Sequence, residues 1–485
     1  MKSRGFYIGA VLLLLGTALV IPKNYEEENN RVWQHEAAKN QMQDTNLSIE
    51  PDAFSSHLPV IVIETNGREI PGKVTEDKSP NEIEHAYIQA ELKIINQESE
   101  LNTLKSEAEV ASKVNIRMRG NTSRYYEKAG YLFQFINEDE SEQKQEVLGM
   151  EAHSTWILNA SYVDKTQMRN YMWYNLAGEI MEWAPDVRFC EVFLNGEYQG
   201  LYTVIEKIST GEGRIQLTDS EAGLAETSYV LELDRQSVNT TAWIDSFAFH
   251  IGMQEEGVQQ LAVEYPGKSK LTPEMIEYIT DDISTFEKAL YSYDYSSKTY
   301  GYYNRVDVDN FVDYLLISEI SRNLDAGRHS TYIYKDVNGK LKLCVWDFDN
   351  CCNNYLADPF DETGFIMPKR VWYQRICKDE KFIKQVIEHY RELREDLFSD
   401  ANIEKQIADI EAYLGCAIDR NYKKWGIVFT AEGDEFAAIG RPLVSYEEAI
   451  EQYKSALLGR LAWLDEHIEA LYFYSHESVN KKYNY

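Results

Sequence analysis

Short apolar runs separated by turns dominate the first half of the chain. Several of them alternate apolar and polar residues, which is the period-two pattern of a half-buried strand. The predicted strands are residues 58–63, 86–95, 114–118, 131–136, 229–233, 246–251 and 261–265. The Asn195-Gly196 pair joins two further apolar runs, at 191–194 and 201–205, and predicts a tight β-hairpin.

The second half of the chain has a helical period instead. An earlier apolar stripe, from Met168 to Ile180, repeats every four residues, and a wider stripe runs from Val308 to Ile320 behind an N-cap at Asp307 or Asp309. The other predicted helices begin after Thr272 and cover residues 370–398, 402–423 and 444–472, and a second Asn-Gly hairpin is predicted at 331–346. A strand-rich half followed by a helix-rich half predicts an α+β fold with two lobes and a cleft.

The N-terminus has the pattern of a membrane signal. Lys2 and Arg4 precede an uncharged, mostly apolar run from Gly5 to Ile21, which is at the short limit for a membrane span. Secretion with cleavage and an uncleaved anchor both fit, and the lack of a small-residue cleavage site favours the anchor. The basic start then predicts that the remainder is extracytoplasmic. The predicted domains are an anchor (1–22), a linker (23–57), an N-lobe (58–208) and a C-lobe (209–485).

The charge of the chain limits its partners. It has 80 acidic and 49 basic residues, a formal net charge of −31. Such a surface repels nucleic acid and anionic lipid, so we expect no nucleic-acid partner and membrane contact through the N-terminal segment only. Divalent cations and basic polypeptides remain compatible. None of the six cysteines forms a C-x-x-C pair, so a zinc ribbon has no support, and disulfide pairing stays open.

The most informative stretch contains acidic residues around the second hairpin. Asp325 lies in a loop after a long helix, and Asp347 and Asp349 follow the second strand of the hairpin. Hairpin geometry can bring Asp325 and Asp347 together, which is unfavourable unless a cation neutralises them. Phosphoryl transfer uses such a set, with one Asp for the substrate hydroxyl and another for Mg²⁺. We therefore predict Asp325 as catalytic and Asp347, Asp349 and Ser330 as metal ligands. Strand capping is the structural alternative.

A second candidate lies in the first half. A loop of donors follows a predicted strand, with a glycine that allows a tight turn and a lysine five residues beyond it. Such a loop can cover the phosphates of a nucleotide. Glu206 falls where a hinge between lobes would begin, although a charged strand end explains it equally well. The predicted cofactor-binding residues are Arg119, Gly120, Asn121, Thr122, Ser123, Lys128 and Glu206.

Taken together, these motifs resemble the CotH family, the spore-coat-protein-H-like atypical protein kinases, over residues 58–355. The single residues that match the family pattern are Asp164, Arg169, Asn170 and Glu206. The matching segments are 119–123 (Arg-Gly-Asn-Thr-Ser), 156–160 (Trp-Ile-Leu-Asn-Ala), 193–202 (Phe-Leu-Asn-Gly-Glu-Tyr-Gln-Gly-Leu-Tyr), 229–234 (Tyr-Val-Leu-Glu-Leu-Asp), 323–325 (Asn-Leu-Asp) and 346–349 (Trp-Asp-Phe-Asp). Lys128 departs from the pattern, because the family often has two adjacent lysines and here Glu127 precedes the only one.

The resemblance implies a two-lobed protein-kinase-like fold, ATP with Mg²⁺ or Mn²⁺ as cofactors, and phosphorylation of Ser or Thr in a coat or envelope protein. It also implies an association with the spore coat. Both implications conflict with the exported topology, because ATP is scarce outside the cell and the spore coat is assembled from the mother-cell cytoplasm. Two alternatives use the same residues. One is a non-catalytic, envelope-anchored adhesion or coat-assembly module, and the other is a metal-dependent phosphohydrolase that does not need Lys128.

Overall fold

The described part of the chain is one folded body. The computed structural model describes residues 31–38, 41–75, 77–97, 99–219, 223–252, 260–356 and 362–476. The described residues from Val32 onward belong to one compact unit, which contains every helix and strand of the described residues. No helix among those residues is long and apolar enough to cross a bilayer. The predicted anchor at 1–22 lies outside the described residues.

The strands form where apolar and polar residues alternate, close to their predicted positions. They are β1 (Val60–Glu64), β2 (Ile88–Ile95), β3 (Val110–Met118), β4 (Tyr131–Ile136), β5 (Gln145–Val147), β6 (Met150–His153), β7 (Thr155–Asn159), β8 (Val187–Leu194), β9 (Glu197–Glu206), β10 (Tyr229–Asp234), β11 (Trp243–Ile244), β12 (Gln260–Tyr265), β13 (Thr331–Lys335) and β14 (Lys342–Cys344). Both predicted Asn-Gly hairpins are present, as β8–β9 and β13–β14.

Seven strands close into a barrel in the order β1-β2-β3-β4-β7-β9-β8. All neighbours are antiparallel except β1 and β8, which pair in parallel with Val60 opposite Glu191. Alternate side chains, including those of Ile116, Phe133 and Leu158, are fully buried in one apolar core inside the barrel. The barrel is therefore more closed than the strand-rich lobe that the sequence predicts.

A second sheet has five antiparallel strands in the order β11-β12-β10-β13-β14. Its central strand β10 pairs with β13, placing Leu231 opposite Ile333. Both residues are fully buried, in the same core as Leu315 of the long helix before β13. The mixed helix and strand content confirms the α+β class, and β5 and β6 form a separate small ribbon.

The helices pack on both the barrel and the second sheet and continue to the C-terminus. They are α1 (Gln34–Ala37), α2 (Arg169–Ile180), α3 (Phe247–His250), α4 (Pro273–Tyr291), α5 (Val308–Ser321), α6 (Tyr373–Ile376), α7 (Glu380–Glu395), α8 (Asp400–Leu414), α9 (Cys416–Trp425), α10 (Tyr446–His467) and α11 (Tyr472–Ser475). Asp307 is the N-cap of α5, where its side chain accepts a hydrogen bond from the Asn310 N–H. All six cysteines are free thiols.

Two helical predictions differ from the structure because of local breaks. The helix predicted at 370–398 is interrupted before Asp379, which caps α7 through the Lys381 N–H. The helix predicted at 402–423 is divided at Gly415, whose φ of +44° lies in the region that favours glycine. The strand predicted at 246–251 is wrong, because that segment forms the short helix α3.

Residues 32–38 and 41–57, predicted as part of a linker, pack within the folded body. Trp33 is buried and its Nε1 donates to Glu179 at the end of α2 (2.7 Å). Asp44 forms a fully buried ion pair with Arg420 of α9 (2.7 Å). The same arginine also pairs with Glu191 of β8 (2.6 Å). This N-terminal segment is therefore joined to both the barrel and the C-terminal helices.

Candidate functional site

A cleft of about 750 Å³ lies between the outer face of the barrel and the second sheet. Outward-facing side chains of β4 and β7, such as Gln134 and Ile157, form one wall, and Glu232 of β10 and Tyr332 of β13 lie in the other. The cleft brings together most of the predicted site. Its lining includes Arg119, Gly120, Asn121, Thr122, Ser123, Asp325, Ser330, Asp347 and Asp349.

The loop at residues 119–123, hereafter the RGNTS loop, is built around Gly120. This residue has a φ of +105°, and a Cβ at this position would lie only 1.9 Å from the Ser123 Oγ. The positive φ therefore favours glycine here, and any larger residue would also force the Ser123 hydroxyl to move. The loop ends in a 3₁₀ turn, Thr122–Tyr125, whose first two residues belong to the loop. The Asn121 amide donates to the Asn81 side chain (3.0 Å), so the loop is fixed at the rim of the cleft.

Asp325 lies just beyond the end of α5, where Arg322 turns the chain with a φ of +52°. Its backbone carbonyl accepts hydrogen bonds from the N–H groups of Arg328 and His329, at 2.9 and 2.8 Å. One carboxylate oxygen accepts from the Asn350 amide (2.9 Å). The loop therefore holds the Asp325 carboxylate beside the segment that carries Asp347 and Asp349.

The segment after β14, Asp347-Phe348-Asp349, makes a sharp turn in which Asp347 has a φ of +60°. The Asp347 N–H donates to the Tyr174 hydroxyl (3.0 Å), and the Asp347 carbonyl accepts from Asn323 (3.0 Å). Phe348 is buried and its ring stacks on Trp173 of α2, with centroids 5.8 Å apart. Helix α2 thus anchors the turn that presents the two carboxylates.

Asn170, in the first turn of α2, contacts this turn with both ends of its amide. Its Oδ1 accepts from the Phe348 N–H (2.8 Å), and its Nδ2 donates to Asp349 (2.7 Å). Asn159 at the end of β7 donates to the other oxygen of Asp349 (3.4 Å). The sequence motifs contained both asparagines without indicating a role. The sequence feature that could have identified them is their position, Asn159 at the end of a strand and Asn170 at the start of a helix.

The two carboxylates repel each other. Burial raises the pKa of Asp347, with the Arg119 guanidinium opposing the shift and Asp325 reinforcing it. Burial and the neighbouring Asp347 raise the pKa of Asp349 well above its usual range, and Asp164 adds to the effect. Carboxylates that resist ionisation in this way are stabilised as anions by a cation.

The donor set fits Mg²⁺, which prefers oxygen ligands and takes only one or two carboxylates together with phosphate oxygens. No three His, Cys, Asp or Glu side chains of the described ranges converge as a preformed metal centre. Asp347 and Asp349 would therefore hold the ion, with phosphate, amide or water oxygens completing its coordination. Ser330 lines the same cleft, and its N–H donates to Asp234 (3.2 Å).

Arg169, adjacent to Asn170, supports the chain beyond Asp349 from the interior. It forms a buried ion pair with Asp164. Its Nε donates to the Cys351 carbonyl (3.0 Å) and its Nη2 to the Cys352 carbonyl (3.1 Å). Asp164 also accepts a hydrogen bond from the Arg169 N–H (2.9 Å). This pair therefore has a supporting role that the sequence did not indicate.

Lys128 does not line the cleft. It is 2% exposed, and its Nζ donates to Gln167 Oε1 (3.0 Å), the Leu201 carbonyl (2.6 Å) and Asn421 Oδ1 (3.0 Å). Burial lowers the pKa of Lys128 to about 7, with Asp164 opposing the shift. The structure thus gives this lysine protein partners where the sequence predicts phosphates.

Glu206 at the end of β9 is also directed away from the cleft. It forms a buried ion pair with Arg214, whose guanidinium lies 4.6 Å from the Trp156 ring, and it accepts from the Asp186 N–H (3.0 Å). The next residues, 207–209, do line the cleft. These residues therefore line the cleft in place of Glu206, which stabilises the end of the strand.

The site is an acidic turn facing a glycine-containing loop of donors across one cleft, in a protein of mixed α and β structure. The model of the family described as CotH kinase protein matches residues 116–464, a range that contains every residue of this site named above except Asn81. The chain belongs to the CotH family.

One relative is the inner spore coat protein H of Bacillus subtilis (strain 168). It is 23% identical over 240 residues, which are 49% of this chain and 58% of that protein. The match therefore covers little more than half of the relative's length. Both comparisons agree with the family that the sequence motifs indicated.

Proposed function

We propose that this protein is an atypical protein kinase that transfers the γ-phosphoryl group of ATP to Ser or Thr of a coat or envelope protein. The observation that carries the proposal is that the RGNTS loop, Asp325, Asp347 and Asp349 line the same cleft. A phosphate-covering loop opposite a hydroxyl-orienting Asp and a metal-holding Asp is the arrangement that phosphoryl transfer requires. In this proposal the barrel acts as the N-lobe and the second sheet with its helices as the C-lobe.

Asp325 is proposed as the base. Its carboxylate accepts the proton of the substrate hydroxyl while that oxygen bonds to the γ-phosphorus and the bond to the β,γ-bridging oxygen breaks. The hydrogen bond from Asn350 orients the carboxylate for this step.

The phosphate contacts are assigned to the barrel side. Arg119 stacks over Trp346 (5.5 Å), close enough to Asp347 to influence its pKa, so its charge is available near the phosphates. Asn121 and Ser123 add donors from the same loop. Asp347 and Asp349 would hold Mg²⁺, which supplies positive charge against the phosphate oxygens. Lys128 and Glu206 have other partners and are left out of these contacts.

The spore-coat relative supports an association with the coat, and the N-terminal apolar run supports attachment to a membrane. We propose that the kinase acts on a protein of that layer. The name of the relative describes a coat protein and no reaction, so a non-catalytic coat module is the main competing function.

The test is incubation of the full-length chain, in mild detergent, with γ-labelled ATP and Mg²⁺ or Mn²⁺. Label is followed on the protein itself and on added coat extract. Melting temperature is measured in parallel, because a ligand that binds the native state stabilises it by about 2.7 kcal/mol at a hundredfold excess over Kd. We expect a metal-dependent rise in melting temperature and label on Ser or Thr.

The competing functions predict different results. A phosphohydrolase releases labelled phosphate without labelling protein, and a coat module shows neither label nor a shift with ATP. Asp347→Ala serves as the matched control in each assay, since it removes a metal carboxylate from the cleft. Label that persists in that variant would point to a contaminating kinase and contradict the proposal.

A further inference from the structure

The segment that joins α9 to α10, residues 426–445, is held against both sides of the candidate site. It contains two 3₁₀ turns, Gly426–Phe429 and Ala437–Ile439. No motif of the sequence indicated a function for it. None of its residues lines the cleft, yet it contacts the loops on either side of the cleft.

The segment is fixed to the protein by a buried ion pair. Lys165 and Asp434 are 2.7 Å apart, with side chains only 4% and 3% exposed. The same lysine donates to the Leu443 carbonyl (3.0 Å), and Asp434 accepts from the N–H groups of Phe436 and Leu443, both at 3.0 Å. Because Asp434 also bonds within the segment, the ion pair fixes its internal shape as well as its position.

One contact of the segment, next to this ion pair, is with the barrel side of the cleft. Glu435, next to Asp434, accepts a hydrogen bond from the Tyr126 hydroxyl (3.1 Å). Tyr126 lies directly after the 3₁₀ turn in which the RGNTS loop ends, lines the cleft, and stacks on Tyr162 with centroids 4.9 Å apart. The segment therefore contacts the end of the phosphate-covering loop.

A second contact reaches the acidic side. The Arg441 guanidinium donates to Asn353 Oδ1 (2.8 Å) and to the Tyr355 carbonyl, and it lies 5.3 Å from the Phe436 ring. The neighbouring Asn354 in turn donates to the Asp349 carbonyl (2.6 Å). Arg441 thus holds the chain a few residues beyond the proposed metal ligands.

The backbone on this side needs such support. Cys352 and Asn353 have φ values of +46° and +66°, and successive left-handed residues other than glycine are unfavourable. Conformations of this kind persist where surrounding contacts enforce them. Arg169 holds the Cys351 and Cys352 carbonyls from inside, and Arg441 holds Asn353 and Tyr355 from the outside.

We propose that residues 426–445 form a clamp that holds the RGNTS loop and the 347–355 loop in register across the cleft, with Glu435 and Arg441 as its positioning residues. The inference rests on the proposed kinase function, in which both loops contact one nucleotide. The clamp residues touch no reacting atom. They act through Tyr126 and through Asn353 and Tyr355.

The test compares Arg441→Ala with Arg375→Ala in the full-length chain. Arg375 is a matched control, since it also donates to two oxygen acceptors, here the backbone carbonyls of Leu290 and Ser292 at the end of α4, and covers the Tyr295 ring at 3.9 Å. Neither Arg375 nor these partners line the cleft. The measurements are the melting temperature without ligand, the affinity for Mn²⁺-ATP, and KM and kcat for ATP.

We expect Arg441→Ala to weaken Mn²⁺-ATP binding and to raise KM about tenfold, the effect of losing one hydrogen bond to a charged group. The change in kcat should be smaller, and Arg441→Lys should restore part of the affinity by keeping one donor. Arg375→Ala should lower the melting temperature to a similar extent while leaving nucleotide affinity unchanged. Tyr126→Phe, which removes the opposite contact, should also weaken binding.

Two results would overturn the clamp. One is a nucleotide affinity of Arg441→Ala equal to that of the wild type, and the other is an equal loss of affinity in Arg375→Ala, which would mean a general loss of stability. If the unmodified chain binds no nucleotide with either metal, the proposed function itself fails. That outcome is recognised before any variant is compared.

Discussion

At the scale of residues, two carboxylates in one cleft have different surroundings and therefore different predicted roles. Asp347 lies in the turn anchored on α2, beside Asp349 and the Arg119 charge. Asp325 lies on a separate loop and accepts a hydrogen bond from Asn350. The proposed metal contacts belong to the first residue and the proposed proton transfer to the second.

This difference predicts that the two alanine variants separate binding from chemistry. Asp347→Ala should weaken metal-dependent nucleotide binding and activity together. Asp325→Ala should keep nucleotide affinity and lower the transfer rate by about a hundredfold or more, the usual contribution of a general base. Calorimetric titration with Mn²⁺-ATP and single-turnover transfer assays measure the two quantities. Equal losses of ATP affinity in both variants would contradict the assignment.

Lys128 leads to a prediction about stability. Its buried amino group donates to three acceptors. Lys128→Met would remove that donor from Gln167 and from the Leu201 carbonyl, while Asn421 would keep the hydrogen bond from the Leu201 N–H. Leaving a buried acceptor without a donor costs about 1–3 kcal/mol, so the melting temperature should fall. Lys113→Met is the control, because Lys113 is half exposed and pairs with an exposed Glu138, an interaction worth about 0–1 kcal/mol.

A normal melting temperature in Lys128→Met, combined with lost activity, would support the phosphate-binding role that the sequence predicts for this lysine. A low melting temperature with ATP affinity retained below the transition would establish the buried network as its role.

At the scale of elements, the sequence predicted those features that depend on neighbouring residues. Strands such as β4 are periodic, and each Asn-Gly turn fixes a hairpin locally. Closure of the barrel depends on a parallel pairing between β1 and β8, about 130 residues apart, which no local pattern encodes. Helix α3 replaces a predicted strand because Ser284 and Glu287 of α4 accept hydrogen bonds from its first two N–H groups.

In the candidate functional site, too, contacts between residues distant in sequence could not be predicted. The order of the RGNTS loop, Asp325 and Asp347 along the chain was sufficient to predict that they meet, since a hairpin and a cleft between lobes bring them together. The partner of Lys128 on α9 lies 293 residues further along the chain, and the partner of Glu206 belongs to an irregular loop. Residues whose roles depend on such distant contacts could not be assigned from spacing alone.

The N-terminal segment leads to a prediction about pH. Burial alone would raise the pKa of Asp44, but hydrogen bonds from His57 and Arg420 lower it well below its ordinary value. A carboxyl with a lowered folded-state pKa stabilises the protein above its unfolded pKa of about 4, and this contribution is lost as the pH falls below that value. Asp44→Asn should therefore be less stable than wild type at pH 7 by several kcal/mol.

The difference should shrink as the pH falls from 5 towards 2. Urea unfolding of both proteins across that range measures it. A constant difference between wild type and Asp44→Asn at all pH values would show that Asp44 contributes through packing rather than charge.

At the scale of the whole molecule, the compact unit begins at Val32, not at the first strand. The segment before β1 supplies Trp33, His35 and Asp44 to buried contacts with α2, α8 and α9. Arg420 is fully buried, and the carboxylates of Asp44 and Glu191 compensate the charge of its guanidinium. A buried arginine that loses one carboxylate keeps its desolvation cost with less compensation.

We therefore predict that a chain starting at Val32 folds cooperatively and that one starting at Leu58 is destabilised by at least about 3–5 kcal/mol. Chemical unfolding of the two shortened proteins, purified in parallel, measures the difference. If the shorter protein does not fold at all, the combined change Arg420→Met and Glu191→Gln should recover soluble, cooperatively unfolding protein, because it removes the uncompensated charge together with its remaining partner. Equal stability of the two shortened chains would mean that residues 32–57 are a linker after all.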